Sequence, residues 1–289
     1  MKLVFNVNDK PSFPQLVVFA FQQLLAIMAA TIAVPLIIGN NMSTAAALFG
    51  AGIGTIVYLF FTQRKSPVFL GSSFAFIGSM ATAFASAVSI QAGYAGIILG
   101  AIFAGLVYVV FAFIVKTVGT GWINKLMPPI VIGPTVSIIG LSLAGNAVAD
   151  LQKSSLTQQN TQFAVVCGLV ALLATMLCST YGKKNLKMIP FIIGILTGYA
   201  VAAIFTCIGL RTGYEAMQII DFSPITALGK DGISLSTFIS VPDFTFLTAL
   251  RGVRELDASY IGTIVAAYVP VAFVVFAEHI ADHKNISSI

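Results

Sequence analysis

The 289-residue chain is 58% hydrophobic and 9% charged, with a mean hydropathy of +0.97, whereas soluble domains carry roughly 25% charged residues. That balance excludes a water-soluble globular protein, and the formal net charge of +5 is spread over short polar stretches, leaving no basic patch for a nucleic acid. The three cysteines, Cys167, Cys178 and Cys207, all fall in apolar runs and argue against a disulfide framework.

In chain order, apolar runs of membrane-crossing length cover about 15–39, 44–62, 67–88, 93–116, 126–148, 161–180, 187–210 and 261–283. Lipid offers no partner for an unpaired backbone group, so continuous runs of roughly 20 residues must be helices. The predicted fold class is an all-α polytopic membrane protein. The first run exceeds the core of a signal peptide and is expected to remain as a span. With the N-terminus cytoplasmic, Lys2, Lys10, Arg64, Lys65, Lys116, Lys125, Lys183, Lys184, Lys187 and Lys284 all fall inside, against Lys153 in a short outer loop. That distribution satisfies the positive-inside rule and makes the net charge a topology signal. Residues 1–210 hold seven spans with tight connections. Residues 211–260 mix charge, Pro and Gly, and are predicted to be an extracytoplasmic loop with some extended structure, as in "STFISV", or with an amphipathic helix from Leu247. Residues 261–289 carry the eighth helix.

The third run is interrupted. In "SPVFLGSSFAFIGSM" (66–80), Pro67 blocks a helix running backwards, Val68 and Phe69 favour extended backbone, and Gly71 frees the chain. Ser72 or Ser73 can then cap a helix starting near Phe74. Broken backbone at membrane depth survives only beside protein or a wet cavity, and a half-helix N-terminus offers unpaired N–H groups with partial positive charge. Spacing alone fits equally a cytoplasmic loop over Arg64–Ser73 with the span beginning at Phe74.

The eighth run carries acids. Glu278 follows an uncharged stretch from Ile261, and Asp282 lies one turn further on the same face. An ionised acid at a span centre costs about 2.5–3.5 kcal/mol on insertion scales, so it usually lines a cavity. Desolvation penalises the charged form, which makes such a carboxyl a candidate for proton exchange. The competing readings are a helix that simply ends in cytoplasmic water, which suits His283 and Lys284 best, and a metal site of His279, Asp282 and His283. The order Glu-His-x-x-Asp-His departs from the His-Glu-x-x-His of zinc proteases.

Other features read as structural. Pro35, Pro134, Pro190 and Pro270 lie in or near span ends, and "GAGIGT" (50–55) resembles a small-residue packing face. Gln22 and Gln23 put two amides in the first span, where each needs a partner.

Four segments, "GSSFAF" (71–76), "KTVGTGWINKLMPP" (116–129), "IGLSLAGNA" (139–147) and "AEHIADHKNISSI" (277–289), resemble the nucleobase/ascorbate transporter family, from about Gln15 to the last residue and least well over 211–260. The resemblance implies a transporter and not an enzyme: fourteen helices in two inverted repeats of seven, with helices one to four and eight to eleven forming a core domain and the rest a gate domain that dimerises. On that pattern 1–116 are core helices, 117–210 gate helices and 261–289 the start of the second repeat. The third and tenth helices would begin with short strands paired at mid-membrane, so the third span here should contain a strand. Glu278 matches the base-binding glutamate, Phe74 and Ser73 the strand-to-helix junction whose amide meets the base, and Ala30 a small residue against which the base packs. Gln22 matches the Gln of a Gln-His pair, with Gln23 in place of the His. Asp282 takes a position linked to proton coupling, and Ala281 replaces a frequent Gly. The implied activity is proton-coupled nucleobase uptake, uracil foremost, across a bacterial cytoplasmic membrane by an elevator motion. Purine uptake of the xanthine or urate type, or anion transport of the sulfate/bicarbonate type, are the alternatives. The implied partners are the nucleobase, protons, the lipid bilayer and a second copy, with the proton gradient as driving force and no cofactor or metal. The chain is expected to be truncated after the eighth helix.

Overall fold

The computed structural model describes residues 9–66, 68–126, 128–154, 156, 159, 161–182, 190–230 and 244–287. Among these residues the regular structure is helical and no β-strand element occurs. Helices lie in every predicted run: α1 (Phe13–Ile38), α2 (Thr44–Phe61), α3 (Ile77–Ala85) continuing a 3₁₀ turn at Phe74–Phe76, and α4 (Ile90–Val118). A short α5 (Gly121–Leu126) precedes α6 (Pro129–Gln152), α7 (Gln162–Tyr181) and α8 (Pro190–Thr212). Then come α9 (Ser223–Lys230), α10 (Thr245–Gly252) and α11 (Ala258–Ser287). Among the described residues five segments are long and apolar enough to cross a membrane by length and composition: Thr44–Phe61, Ile90–Val118, Gln162–Tyr181, Pro190–Thr212 and Ala258–His283.

Local chemistry sets the ends. Ser43 and Ser89 cap α2 and α4, their hydroxyls accepting from the Ala46 and Ala92 amides. Gly119, at φ 82°, ends α4 in a conformation that suits glycine. Pro190 opens α8, where its missing N–H costs nothing. Among the described residues the three cysteines form no disulfide.

The loop from 211 to 260 is more helical than its sequence suggests. The amphipathic alternative from Leu247 corresponds to α10, which packs on α4. "STFISV" lies outside the described residues. Asp221 accepts the Ser223 amide (2.8 Å) and hydroxyl (2.9 Å), which holds its carboxyl below the usual carboxylate range and starts α9.

The chain forms two compact units, with boundaries inside α1 and α6. One holds Ala30–Ser142 and the described residues from 244 onward. Its core is the packing of α3, α4 and α11 around Ala83, Tyr260, Ile264 and Tyr268, with α10 set on α4 through Ala249, Tyr94 and Ala95. Two glycines of α4 permit this. A Cβ at Gly100 would lie 2.5 Å from the Tyr268 ring, and one at Gly96 would overlap the Tyr260 hydroxyl. The other unit holds Pro11–Ala29 and the described residues between Leu143 and Val241. There α7 packs along α8 around Cys167, Ala202 and Ile219. The buried Thr206 hydroxyl accepts the Ile219 and Ile220 amides, each at 3.0 Å, and fastens the returning loop to α8.

The glycine face of "GAGIGT" differs from expectation. Nothing comes within 4 Å of a Cβ placed at Gly50, Gly52 or Gly54, so among the described residues no helix packs against it.

Candidate functional site

The approach to the third span is held by side-chain hydroxyls. Thr55 of α2 donates to the Ala51 carbonyl (2.7 Å) and accepts the Leu70 amide (3.0 Å). Ser72 donates to the Thr31 carbonyl of α1 (3.1 Å). A Cβ at Gly71 would lie 3.0 Å from the Thr31 hydroxyl, so glycine lets the segment run close beside α1.

This is the first correction to the sequence reading: Val68–Ser73 is not in a strand. A strand requires a ladder partner, and among the described residues hydroxyls take that place. The second correction concerns the cap. Ser73 occupies the N-cap position with extended backbone (φ −95°, ψ 123°), yet its side chain makes no capping bond, and the Ser72 hydroxyl is committed to Thr31. The first turn closes as 3₁₀, with the Phe76 amide 3.4 Å from the Ser73 carbonyl. The Phe74 and Ala75 amides have no partner among the described residues. A helix start in that condition presents donors and partial positive charge.

The α11 helix runs antiparallel to this element. The Tyr260 hydroxyl donates to the Ala83 carbonyl (2.7 Å), Ser79 donates to the Ala267 carbonyl (2.7 Å), and Phe76 stacks on Tyr268 with ring centroids 5.6 Å apart. Further on, Tyr58 of α2 lies 3.3 Å from His283 Nε2 and donates to Ser66 (2.9 Å). Glu278 therefore falls between two anchors that flank the extended segment, Phe76–Tyr268 and Ser66–Tyr58–His283. It follows Tyr260 by 18 residues (278 − 260), five full turns at about 3.6 residues per turn, and so shares the stripe that Tyr260 presents to α3. Glu278 is half-buried and Asp282 exposed. Asp282 and Tyr108 both lie within electrostatic range of Glu278.

Glu278, Ser73 and Phe74 thus stand on two elements packed against each other in one unit. Ala30 is exposed on α1, and the contact with the broken segment is made by its neighbour, the buried Thr31. Gln22 lies on α1 with its side chain outside the described residues, and Gln23 is exposed. Among the described residues no group of three or more His, Cys, Asp or Glu is arranged to hold a metal ion. The His279 and His283 rings instead stack at 4.6 Å with Nε2 atoms 2.7 Å apart. Sequence reasoning missed Thr31, Thr55, Phe76 and Tyr268. The available signal was weak: hydroxyl and tyrosine side chains in apolar helices that need polar neighbours.

Comparison with known proteins adds a second line of observation. Residues 14–289 match the Permease family. The chain is 35% identical to "Uracil permease" of Bacillus subtilis (strain 168), over 100% of this chain and 60% of that protein. It is 34% identical to "Uracil permease" of Bacillus caldolyticus, over 100% and 59%, and 32% identical to "Uracil permease" of Escherichia coli (strain K12), over 95% and 55%. The chain spans less than two thirds of the length of these relatives. A family match over nearly the whole chain, with relatives above 30% identity and the four motifs in order, places this chain in the Permease family, the nucleobase/ascorbate transporters.

Proposed function

We propose that the chain serves proton-coupled uptake of a nucleobase, uracil, across a bacterial cytoplasmic membrane. The observation that carries this reading is the broken third span, whose Phe74 and Ala75 amides have no partner among the described residues, beside the α11 stripe that bears Glu278. Uracil presents two ring N–H donors and two carbonyl acceptors. A carboxylate accepts from the former and helix-start amides donate to the latter, a charge-assisted pairing at one end and a dipole-assisted one at the other. Ser73 and Phe74 supply the donor end and Glu278 the acceptor, with Ala30 as the small residue on the α1 side. Glu278 and Asp282 exchange the coupled proton.

The names of the relatives favour a pyrimidine over xanthine or urate. An anion of the sulfate or bicarbonate type would also suit helix-start amides, but Glu278 would repel it. In the elevator reading, the core helices carry the base past the gate helices in a dimer with cytoplasmic N-termini.

The test is accumulation of labelled uracil driven by a pH gradient in vesicles bearing a protein that includes this chain. Glu278→Gln is expected to abolish it, with unlabelled uracil competing and xanthine failing to compete. Wild-type accumulation by the variant would overturn the assignment of Glu278. Effective competition by xanthine would replace uracil with a purine.

A further inference from the structure

The function just proposed uses Glu278 and Asp282 and leaves the two histidines beside them without a role. Their arrangement is specific. His279 and His283, one turn apart on α11, place Nε2 atoms 2.7 Å from each other, and Tyr58 Oη of α2 lies 3.3 Å from His283 Nε2. Tyr58 donates in turn to the Ser66 hydroxyl at 2.9 Å, at the start of the segment that leads into the broken span.

A neutral imidazole carries one N–H and one lone pair. Two Nε2 atoms at hydrogen-bonding distance must therefore share a single proton, one donating and the other accepting. Because the Tyr58 proton goes to Ser66, Tyr58 Oη is free to accept. The arrangement that satisfies every contact has His283 Nε2–H directed between His279 Nε2 and Tyr58 Oη. One added proton goes to the free Nδ1 of His283 and leaves the Nε2–H contact in place with a single positive charge, whereas a second would set N–H against N–H at 2.7 Å with two positive charges on stacked rings, and the contact would have to open.

We infer that His279 and His283 form a site for one added proton: the Nε2 contact, which through Tyr58 and Ser66 ties α11 to the entry of the broken third span, survives the first added proton and is opened by a second. The inference deepens the proposed transport reading and rests on it for its purpose, since it adds a proton-binding site to Glu278 and Asp282. The groups around the pair are few. From α4, Tyr108 faces His279 with ring centroids 6.2 Å apart. From α2 comes Tyr58. From α5, Trp122 and Ile123 lie in the apolar cluster that also takes in Ile280 and Ala281, and contribute no charge. On α11 itself stand Glu278 and Asp282. Arg64 and Lys65, next to Ser66 in sequence, are exposed. Glu278 and Asp282 thus stand beside the pair, so a single shared positive charge is tolerated and a doubled one meets its own like charge.

The experiment is nitrogen-15 NMR of the imidazoles in the detergent-solubilised chain across about pH 4–9, with no nucleobase present. His279 and His283 are the only histidines in the sequence, so assignment needs one variant, His283→Gln. The expected result is two proton-binding steps separated by more than about one pH unit, a proton-affinity ratio above tenfold, that collapse to a single step in His283→Gln. In Tyr58→Phe, the His283 Nε2 signal should shift while the pair still titrates in two steps. Two independent, superimposable titrations in the wild-type chain would overturn the inference without recourse to any variant. The readout requires no uracil, so a chain that titrates as expected and fails to bind uracil would leave this site standing and remove the transport reading alone.

Discussion

Two buried hydroxyls show opposite energetics at the scale of single residues. Thr206 is fully buried, donates to Ala202 (2.8 Å) and accepts two amides. In Thr206→Val the shape is kept and the acceptor that the Ile219 and Ile220 amides share is lost, at a cost of about 1–3 kcal/mol for the Ile220 amide. Tyr268 is 1% exposed, and its hydroxyl has no partner among the described residues. Tyr268→Phe removes an unsatisfied group and keeps the stack on Phe76 and the fit over Gly100. It should be neutral or stabilising by up to about 1–3 kcal/mol. Thermal unfolding in detergent checks both at once: the midpoint should fall for Thr206→Val and hold or rise for Tyr268→Phe. A fall for Tyr268→Phe would mean that the hydroxyl has a partner which the packing of α3, α4 and α11 does not supply.

At the scale of elements, the sequence was most legible where a single residue forces the outcome. Glycine and serine at 71–73 predicted the break in the third span, and the backbone leaves helix there; each apolar run became a helix. Less legible was what would hold the break. Thr31 and Thr55 look like ordinary hydroxyls in apolar helices, and nothing local reveals that one meets Ser72 and the other Leu70. The expected strand failed because pairing belongs to two segments, and one sequence window shows only one of them. The glycines of α4 were passed over for a similar reason, since their purpose lies in the rings that cross them. That purpose can be measured. A methyl at Gly100 would lie 2.5 Å from Tyr268, whereas one at Gly105 meets nothing within 4 Å. Gly100→Ala should therefore destabilise by about 1–3 kcal/mol through overpacking. Gly105→Ala should gain up to about 1 kcal/mol from helix propensity. Equal shifts in unfolding midpoint would show that α4 and α11 separate easily.

Across the whole molecule, alternation of helix direction gives the charge pattern its meaning, and each unit supplies its own evidence. In the unit that carries α11, one end gathers the Tyr94 hydroxyl on the Asn40 carbonyl (3.0 Å) and Ser89 on Glu255. The opposite end gathers Tyr58, Ser66 and His283, and Arg64, Lys65 and the Lys116 end of α4 lie toward it. In the other unit, Ser154 donates to the Gln218 carbonyl (2.7 Å) and Thr161 to the Ala216 carbonyl (2.7 Å), which puts the α6–α7 connection and the loop after α8 at one end. Basic side chains favour the cytoplasmic face in short loops, so Lys65 should be inside and both Glu255 and Gln218 outside. Single cysteines at 65, 218 and 255, with the three native cysteines replaced by serine, test this in intact cells. A membrane-impermeant maleimide should label 218 and 255 without permeabilisation and label 65 only after it. Labelling of 65 from outside would invert the orientation. Labelling of 218 and 255 from opposite faces would break the alternation itself, because both positions follow the same seven crossings from the N-terminus, α1 to α4 and α6 to α8, with the six-residue α5 too short to cross.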